Sequence, residues 1–443
     1  MTWKILPKRM SKDSLPSWLS YLETLHPKEM DLGLERVREV AQRLDLLPAD
    51  VPVITIAGTN GKGTTAAVIE ALLVESGQVV GVCSSPHFLR FNERIRVSGE
   101  EVDDSVIIDS FGQIDSARGD LSLTYFEFAT LAALWAFKQL RVEIMVLEVG
   151  LGGRLDAVNI VDASVAVITS IALDHQQWLG TSRESIGAEK AGILRRGKPA
   201  VVADVNPPNS VIELANAHGA STAYIGREFG VYEERSSWGS QTHWKGWLTD
   251  GVGETRQLPI LPRGSLLPIN ICAALQALLL IGISFDDQQL HKGLARIKLR
   301  GRRESQEFAG RHYILDVAHN PAAIDKLLEY IDLSDCKGKI YSVFSVMADK
   351  DVSEMVGACK RRFDGWFLGD QADVPRACTA AFLEQALERD GNEVVSCSDS
   401  IEGAFRRAQS AMSEGDTLVV FGSFFTVAAV LPLLDEDRGK ITQ

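Results

Sequence analysis

What the chain lacks narrows it first. Its six cysteines, Cys83, Cys272, Cys336, Cys359, Cys378 and Cys397, never form a C-x-x-C pair, which speaks against a zinc site and against a disulfide framework. No apolar run approaches the roughly 18 residues of a membrane span. Met1–Met10 carries charges but leads into no apolar signal-peptide stretch, so the expectation is a cytoplasmic protein with no membrane partner. Positive charge is also short, with 46 Lys and Arg against 59 Asp and Glu and a net charge of −13. A general nucleic-acid surface is therefore not expected, and any anionic ligand has to be gripped locally. A G-x-G-x-x-G fingerprint does not occur, so a dinucleotide is not implied.

What remains is an ordinary globular composition, 45% hydrophobic and 24% charged, over 443 residues. That length exceeds what one core usually holds, and two domains are expected. The chain turns on Val53–Thr65, where the apolar run Val53-Ile54-Thr55-Ile56-Ala57 breaks into Gly58-Thr59-Asn60-Gly61-Lys62-Gly63-Thr64-Thr65. This reads as strand, phosphate loop, helix. Gly58, Gly61 and Gly63 permit backbone angles that let successive N–H groups face one anion at a helix N-terminus. Lys62 adds a point charge, and Thr64 or Thr65 a hydroxyl for Mg²⁺. The spacing is not the common phosphate-loop one, which would need glycine at Ile56 and serine or threonine at Gly63.

Several other apolar strands end in groups that can bind ligands, and ligands in open α/β sheets lie at the carboxyl ends of strands. Val79–Cys83 runs into Ser84-Ser85-Pro86-His87, Ile144–Leu147 into Glu148 and a glycine turn, and Ser164–Ile171 into Asp174-His175. Glu148 stands where an acid holds Mg²⁺ beside a phosphate loop, and Ser85, Glu148 and His175 together point to a second metal site. Lys190 is expected at the centre of a helix over Ser185–Leu194. Its small neighbours Ala188, Ala191 and Gly192 suggest tight packing, which would lower its pKa and make it reactive. Thr124 and Glu127 have capping-box spacing before a long apolar helix. Ser17–Leu47 reads as helical, with Glu29–Arg36 a helix junction in which Asp31 is the N-cap. Arg90–Val97 has too many charges for a sheet and reads as a surface loop.

Phe229–Pro262, with Trp238, Trp244 and Trp247, reads as a small antiparallel insertion. Pro268–Leu275 opens an apolar helix with Asn270 near its start. A charge-dense stretch around Gly301 is expected to link two domains, 1–297 and 304–443, through residues 298–303. The second repeats strand and helix in a Rossmann-like α/β pattern, with polar loops at Asp316-Val317-Ala318-His319-Asn320-Pro321 and Ala348-Asp349-Lys350-Asp351.

In this order these motifs resemble those of the ATP-dependent Mur ligase superfamily, and more narrowly the dihydrofolate synthase/folylpolyglutamate synthase family. The resemblance runs from Glu29 to Thr426. It implies an α/β fold: an N-terminal P-loop ATPase domain with a small antiparallel insertion, and a C-terminal Rossmann-like domain that brings glutamate. Thr59, Asn60, Gly61, Lys62, Gly63 and Thr64 would bind ATP, completed by Asn270, Arg302 and Asp316. Ser85 and Glu148 would hold one Mg²⁺, and His175 the other, helped by a carboxylated Lys190; a monovalent cation is a further candidate. Lys62, Glu148, His175 and Lys190 would be the catalytic group. Glu29, Met30, Asp31, Leu32, Thr124, Tyr125, Phe126, Glu127, Leu155, Asp156 and Ala157 would line a pterin pocket, in place of the helix-junction reading of the first four.

The activity implied is ligation of L-glutamate to 7,8-dihydropteroate and to reduced folates, driven by ATP through an acyl phosphate in a monomeric enzyme. Phe425, where close relatives often have histidine, and the missing glycine in Ser345-Val346-Met347 depart from the family pattern. Two alternatives stand beside this reading. A cell-wall peptide ligase of the same superfamily would carry an additional N-terminal domain, for which the segment before Val53 is too short. A non-catalytic nucleotide switch would have no use for Glu148, His175 and Lys190 together.

Overall fold

The apolar residues of β1 (Val53–Ala57) are buried on both faces, as a strand must be when parallel neighbours and helices cover it. A computed structural model describes residues 12–28, 30–235, 242–262, 264–334 and 336–441. Its first sheet has the order β4-β3-β2-β5-β1-β6-β7-β8. Here β2 is Val80–Cys83, β3 Ile95–Val97, β4 Glu100–Glu101, β5 Ile144–Glu148, β6 Val165–Ile168, β7 Ala200–Val202 and β8 Thr222–Tyr224. β3 is reversed, pairing antiparallel with both β2 and β4, and the pairs from β2 to β8 are parallel. Ile56 is in register with Glu148 and Ala57 with Ile168, so β1, β5 and β6 end at one edge.

Alternation along the strands sends side chains to two cores. Val53, Ala57, Leu147 and Ile168 pack under one set of helices, among them Leu15–Leu25, Asp104–Arg118, Tyr125–Gln139 and Arg183–Ala191. Ile54, Ile56, Val146 and Val167 face the other way, towards helices Lys62–Glu75 and Pro268–Leu280. That second core is closed by a three-stranded antiparallel sheet, β9 (Phe229–Arg235), β10 (Thr242–Thr249) and β11 (Thr255–Gln257). The insertion expected from the tryptophans is this sheet; Trp238 lies outside the described residues.

The second sheet has the order β12-β13-β17-β14-β15-β16. Its strands are β12 (Glu304–Phe308), β13 (Arg311–Leu315), β14 (Ile340–Phe344), β15 (Gly365–Gly369), β16 (Val394–Ser398) and β17 (Thr417–Phe421). Five are parallel, and β12 pairs antiparallel with β13 at the edge. Helices cover both faces. Among the described residues no helix is long and apolar enough to cross a membrane.

Some local expectations need correction. Arg90–Val97 is not a surface loop: Phe91–Arg94 forms a 3-10 turn and β3 pairs antiparallel with β2. The charge of Arg96 is tolerated there because the buried Glu70 accepts from its Nε and Nη2 at 3.1 and 2.7 Å. Asp31 caps no helix. The second helix is Glu35–Arg43 with Leu34 at its N-cap, and the Asp31 carboxylate instead accepts from Arg36 at 2.6 Å. Lys190 sits in the last turn of its helix, Arg183–Ala191, not at the centre. The strand β12 was not foreseen, because Glu304 read as part of a charged link.

Candidate functional site

The phosphate loop is shaped by contacts that a side chain would forbid. Gly61 is left-handed at φ +92°, and a β-carbon on it would lie 2.7 Å from Asn270 Oδ1; one on Gly58 would lie 1.7 Å from Thr169 Oγ1. The chain after β6 cradles the loop from the other side. Thr59 N donates to Ser170 O at 2.6 Å, Ala172 N to Thr59 Oγ1 at 3.0 Å, and Thr169 Oγ1 to Asn60 O at 2.7 Å. Lys62 opens the helix, and its Nζ donates to the carbonyls of Gly58 and Thr59 at 3.0 and 3.3 Å. Burial pushes this ammonium below its usual range, opposed by Glu148. A cation held only by carbonyls is one that a polyanion can attract. Behind it Thr64 and Thr65 are buried, and Thr65 Oγ1 has no hydrogen-bond partner.

Glu148 ends β5 beneath this loop. Its carboxyl is raised by burial, with Lys62 and Arg302 pulling against that. It accepts from Ser85 N at 3.3 Å and has no ion pair among the described residues. A buried, under-satisfied carboxylate beside the Ser85 hydroxyl is a donor set suited to a hard divalent cation. His175 stands in the left-handed region at φ +50°, and burial pushes it down to about 4, so the ring is neutral and able to ligate. Lys190 is 3% exposed and, among the described residues, has neither an ion-pair nor a hydrogen-bond partner. Burial, with Lys62 nearby, pushes its ammonium down to about 7. Gly153 packs so closely on the Lys190 backbone that a β-carbon would meet its Cα at 3.0 Å. No cluster of three or more His, Cys, Asp or Glu suited to a metal occurs among the described residues; the donors here include a serine and a lysine, and the residues present fit such ions.

The same cavity, about 940 Å³, continues from the phosphate loop to the helix start at Tyr125. Thr124 and Glu127 form the capping box there, with Glu127 N to Thr124 Oγ1 at 3.2 Å and Thr124 N to Glu127 Oε2 at 2.7 Å. Glu127 also accepts from Arg36 Nη2 at 3.2 Å. Phe126 packs on Gly150, where a β-carbon would lie 2.7 Å from its ring. Asp156 is pushed up to about 6 by burial, although Leu151 N and Val158 N donate to it at 2.8 and 3.1 Å. Met30, Asp31, Leu32, Leu155 and Ala157 line this end, while Glu29 lies outside the described residues.

Of the residues anticipated from sequence, Thr59 to Gly63, Ser85, Glu148, His175, Lys190 and Arg302 share the cavity wall. Thr64, Asn270 and Asp316 stand behind the lining. Asp316 is part-buried, its carboxyl raised by desolvation, and it accepts from Arg303 N and Ala318 N, each at 2.7 Å. Arg302 lies over the Phe424 ring at 5.2 Å with Nη2 3.6 Å from where a Gly63 β-carbon would be.

Sequence reasoning gave no role to the groups around Asp174. Asp174 is met by Lys350 Nζ at 2.6 Å and by His319 Nε2 at 3.3 Å, and Asn320 Nδ2 donates to Asn60 Oδ1 at 3.1 Å. Burial would raise Asp174, but His319, His175 and Lys350 hold it far below the carboxylate range. Arg94 was also passed over. It lies part-buried over the rings of Phe91 and Tyr125 and donates through Nε to His87 Nδ1 at 2.7 Å.

Comparison with known proteins agrees with this geometry. The Mur ligase middle domain matches residues 56–275, and the Mur ligase, glutamate ligase domain matches residues 300–424. The dihydrofolate synthase/folylpolyglutamate synthase of Escherichia coli K12 is 44% identical over 425 residues, 96% of either chain. The solved structure of E. coli FolC in complex with DHPP and ADP is 42% identical, with a TM-score of 0.89 over 98% of this chain and 100% of that one. A bifunctional folylpolyglutamate synthase/dihydrofolate synthase with Mn, AMPPNP and L-glutamate bound is 41% identical, with a TM-score of 0.86 over 96% and 98%. With that identity extending over almost the whole length, the chain belongs to the dihydrofolate synthase/folylpolyglutamate synthase family of Mur ligases.

Proposed function

We propose that this enzyme joins L-glutamate to the carboxylate of 7,8-dihydropteroate, giving dihydrofolate, and to reduced folates, giving polyglutamates, with ATP consumed at each step. One observation carries the reading: the phosphate loop, Glu148 and the unpartnered Lys190 open into the same cavity as Thr124–Glu127 and Leu155–Ala157. That juxtaposition would set a nucleotide γ-phosphate against the end of an extended acid.

A carboxylate does not condense with an amine until one of its oxygens becomes a leaving group. In the proposed sequence that oxygen attacks the γ-phosphorus and ADP leaves. The glutamate amine then attacks the acyl carbon, and phosphate departs with the bonding pair. Lys62 would exchange its loop carbonyls for phosphate oxygens, and Arg302 would add charge from across the Gly63 turn. Asn270 and Asp316 would complete the nucleotide site. Divalent ions, when bound, neutralise the triphosphate; Ser85 and Glu148 would hold one, and His175 with carboxylated Lys190 a second, with a monovalent cation as a further member.

Residues 298–303 would be the hinge between the two domains, and their closure would keep water from the acyl phosphate. The enzyme is read as a cytoplasmic monomer without nucleic-acid or membrane partner. Glutamate-dependent ADP release with dihydropteroate tests the function directly. Lys62→Ala should remove that release while the melting temperature stays within a few degrees of wild type. Retained turnover in the pure variant would exclude the scheme.

A further inference from the structure

Two of the proposed ion ligands, His175 and Lys190, come from separate elements of the chain. His175 lies on the chain that leaves β6, and Lys190 near the end of helix Arg183–Ala191. Outside the cavity, Asp204 and Arg183 tie these elements together. Asp204, two residues beyond β7, is 7% exposed. Its carboxylate accepts from Ile171 N at 2.7 Å, Asn206 N at 2.9 Å and Arg183 Nη2 at 2.9 Å. Arg183, the first residue of the Lys190 helix, donates through Nε to Ile171 O at 2.9 Å and through Nη2 to Asn206 O at 2.9 Å. The Ile171 residue is therefore held at both its N–H and its C=O, by two partners that also hold each other.

The placement gives this clamp reach. Ile171 is four residues before His175, within the segment whose Ser170 and Ala172 backbone groups grip the phosphate loop. Arg183 is seven residues before Lys190, about two helical turns, so both project from one side of the helix. Neither Asp204 nor Arg183 lines the cavity. We propose that Asp204 and Arg183 are positioning residues that set the spacing of His175 and Lys190 and thereby the affinity of the second divalent ion. This rests on the reading of His175 and Lys190 as its ligands. Groups that orient metal ligands from behind typically change affinity by about 10–100-fold when removed.

Mn²⁺ titrated into the full-length enzyme with a non-hydrolysable ATP analogue, followed by electron paramagnetic resonance, counts the ions and their affinities. Wild type should bind two Mn²⁺. Asp204→Asn should bind one unchanged, with the second weakened by about tenfold or more, and should lose the ¹³C carbamate resonance that wild type is expected to give at Lys190 with labelled bicarbonate. Arg183→Lys keeps the Asp204 bonds to Ile171 and Asn206 and gives a second variant should the first not fold; it should show the same selective weakening. Two wild-type affinities in either folded variant, even with a lowered melting temperature, would reduce the pair to a structural role and overturn the inference. A single Mn²⁺ in wild type would instead remove the two-ion reading itself, and the inference with it.

Discussion

Lys190 brings an ammonium into a place where, among the described residues, no carboxylate pairs with it, and burial lowers its pKa from 10.5 to about 7, with Asp174 and Asp156 opposing the fall from a distance. The sign of the linked stability follows. Well below pH 7 both folded and unfolded chains hold the proton, and the desolvation cost is present in full. Between 7 and 10.5 the folded chain has lost that proton while the unfolded chain keeps it, so stability rises with pH. Lys190→Met should therefore melt above wild type in CO₂-free buffer. The gain should be on the order of a few kcal/mol near pH 6 and should vanish towards pH 10.5. A pH-independent difference would mean that Lys190 is not buried as a charge. The small residues around Lys190 made its tight packing legible in the sequence. Lys350 was not legible in the same way, because its partner Asp174 is 176 positions away and in the other sheet's domain. Only the fold supplies that pairing.

Among the elements, the strand, loop and helix at Val53–Glu75 were readable because glycine and lysine at close spacing have few other uses. Their tightness was not. The left-handed Gly61 lies against Asn270, more than two hundred positions on, with 2.7 Å left for a β-carbon. Gly61→Ala is thus penalised twice, by φ and by contact. It should lower stability by about 1–2 kcal/mol and weaken ATP-analogue binding at least as strongly, measured by calorimetry; unaltered binding would show that the loop does not touch nucleotide. The Thr124 capping box was visible for the opposite reason, since both partners lie within one turn. The strands β3 and β12 were missed because their charges suggested solvent. In β3 that charge is neutralised by Glu70, on the helix after the phosphate loop, and β12 is an edge strand whose alternate residues are exposed.

Across the whole molecule, the two sheets meet through polar groups. Asp174 receives Lys350 and His319, and the phosphate loop residue Asn60 exchanges hydrogen bonds with Asn320. Lys350 and Asp174 are each 7% exposed at the side chain, and removing one member of a buried pair typically costs about 3–5 kcal/mol. Lys350→Met should loosen the contact, seen as a larger radius of gyration by small-angle scattering, and should cut ligation far more than it cuts binding of nucleotide alone. An unchanged scattering curve with normal turnover would show that this pair does not govern closure. The alternation of strands and helices foretold two α/β units, but which loops of the second face the first was settled only by the sheet order.

The account stands or falls on whether a pteroate oxygen passes through phosphorus. Dihydropteroate labelled with ¹⁸O in its carboxylate, turned over with ATP and glutamate, gives the most direct answer by mass analysis of the phosphate released. One labelled oxygen in each phosphate, in step with amide formation, is the predicted result. Phosphate free of label, with amide still formed, would contradict it.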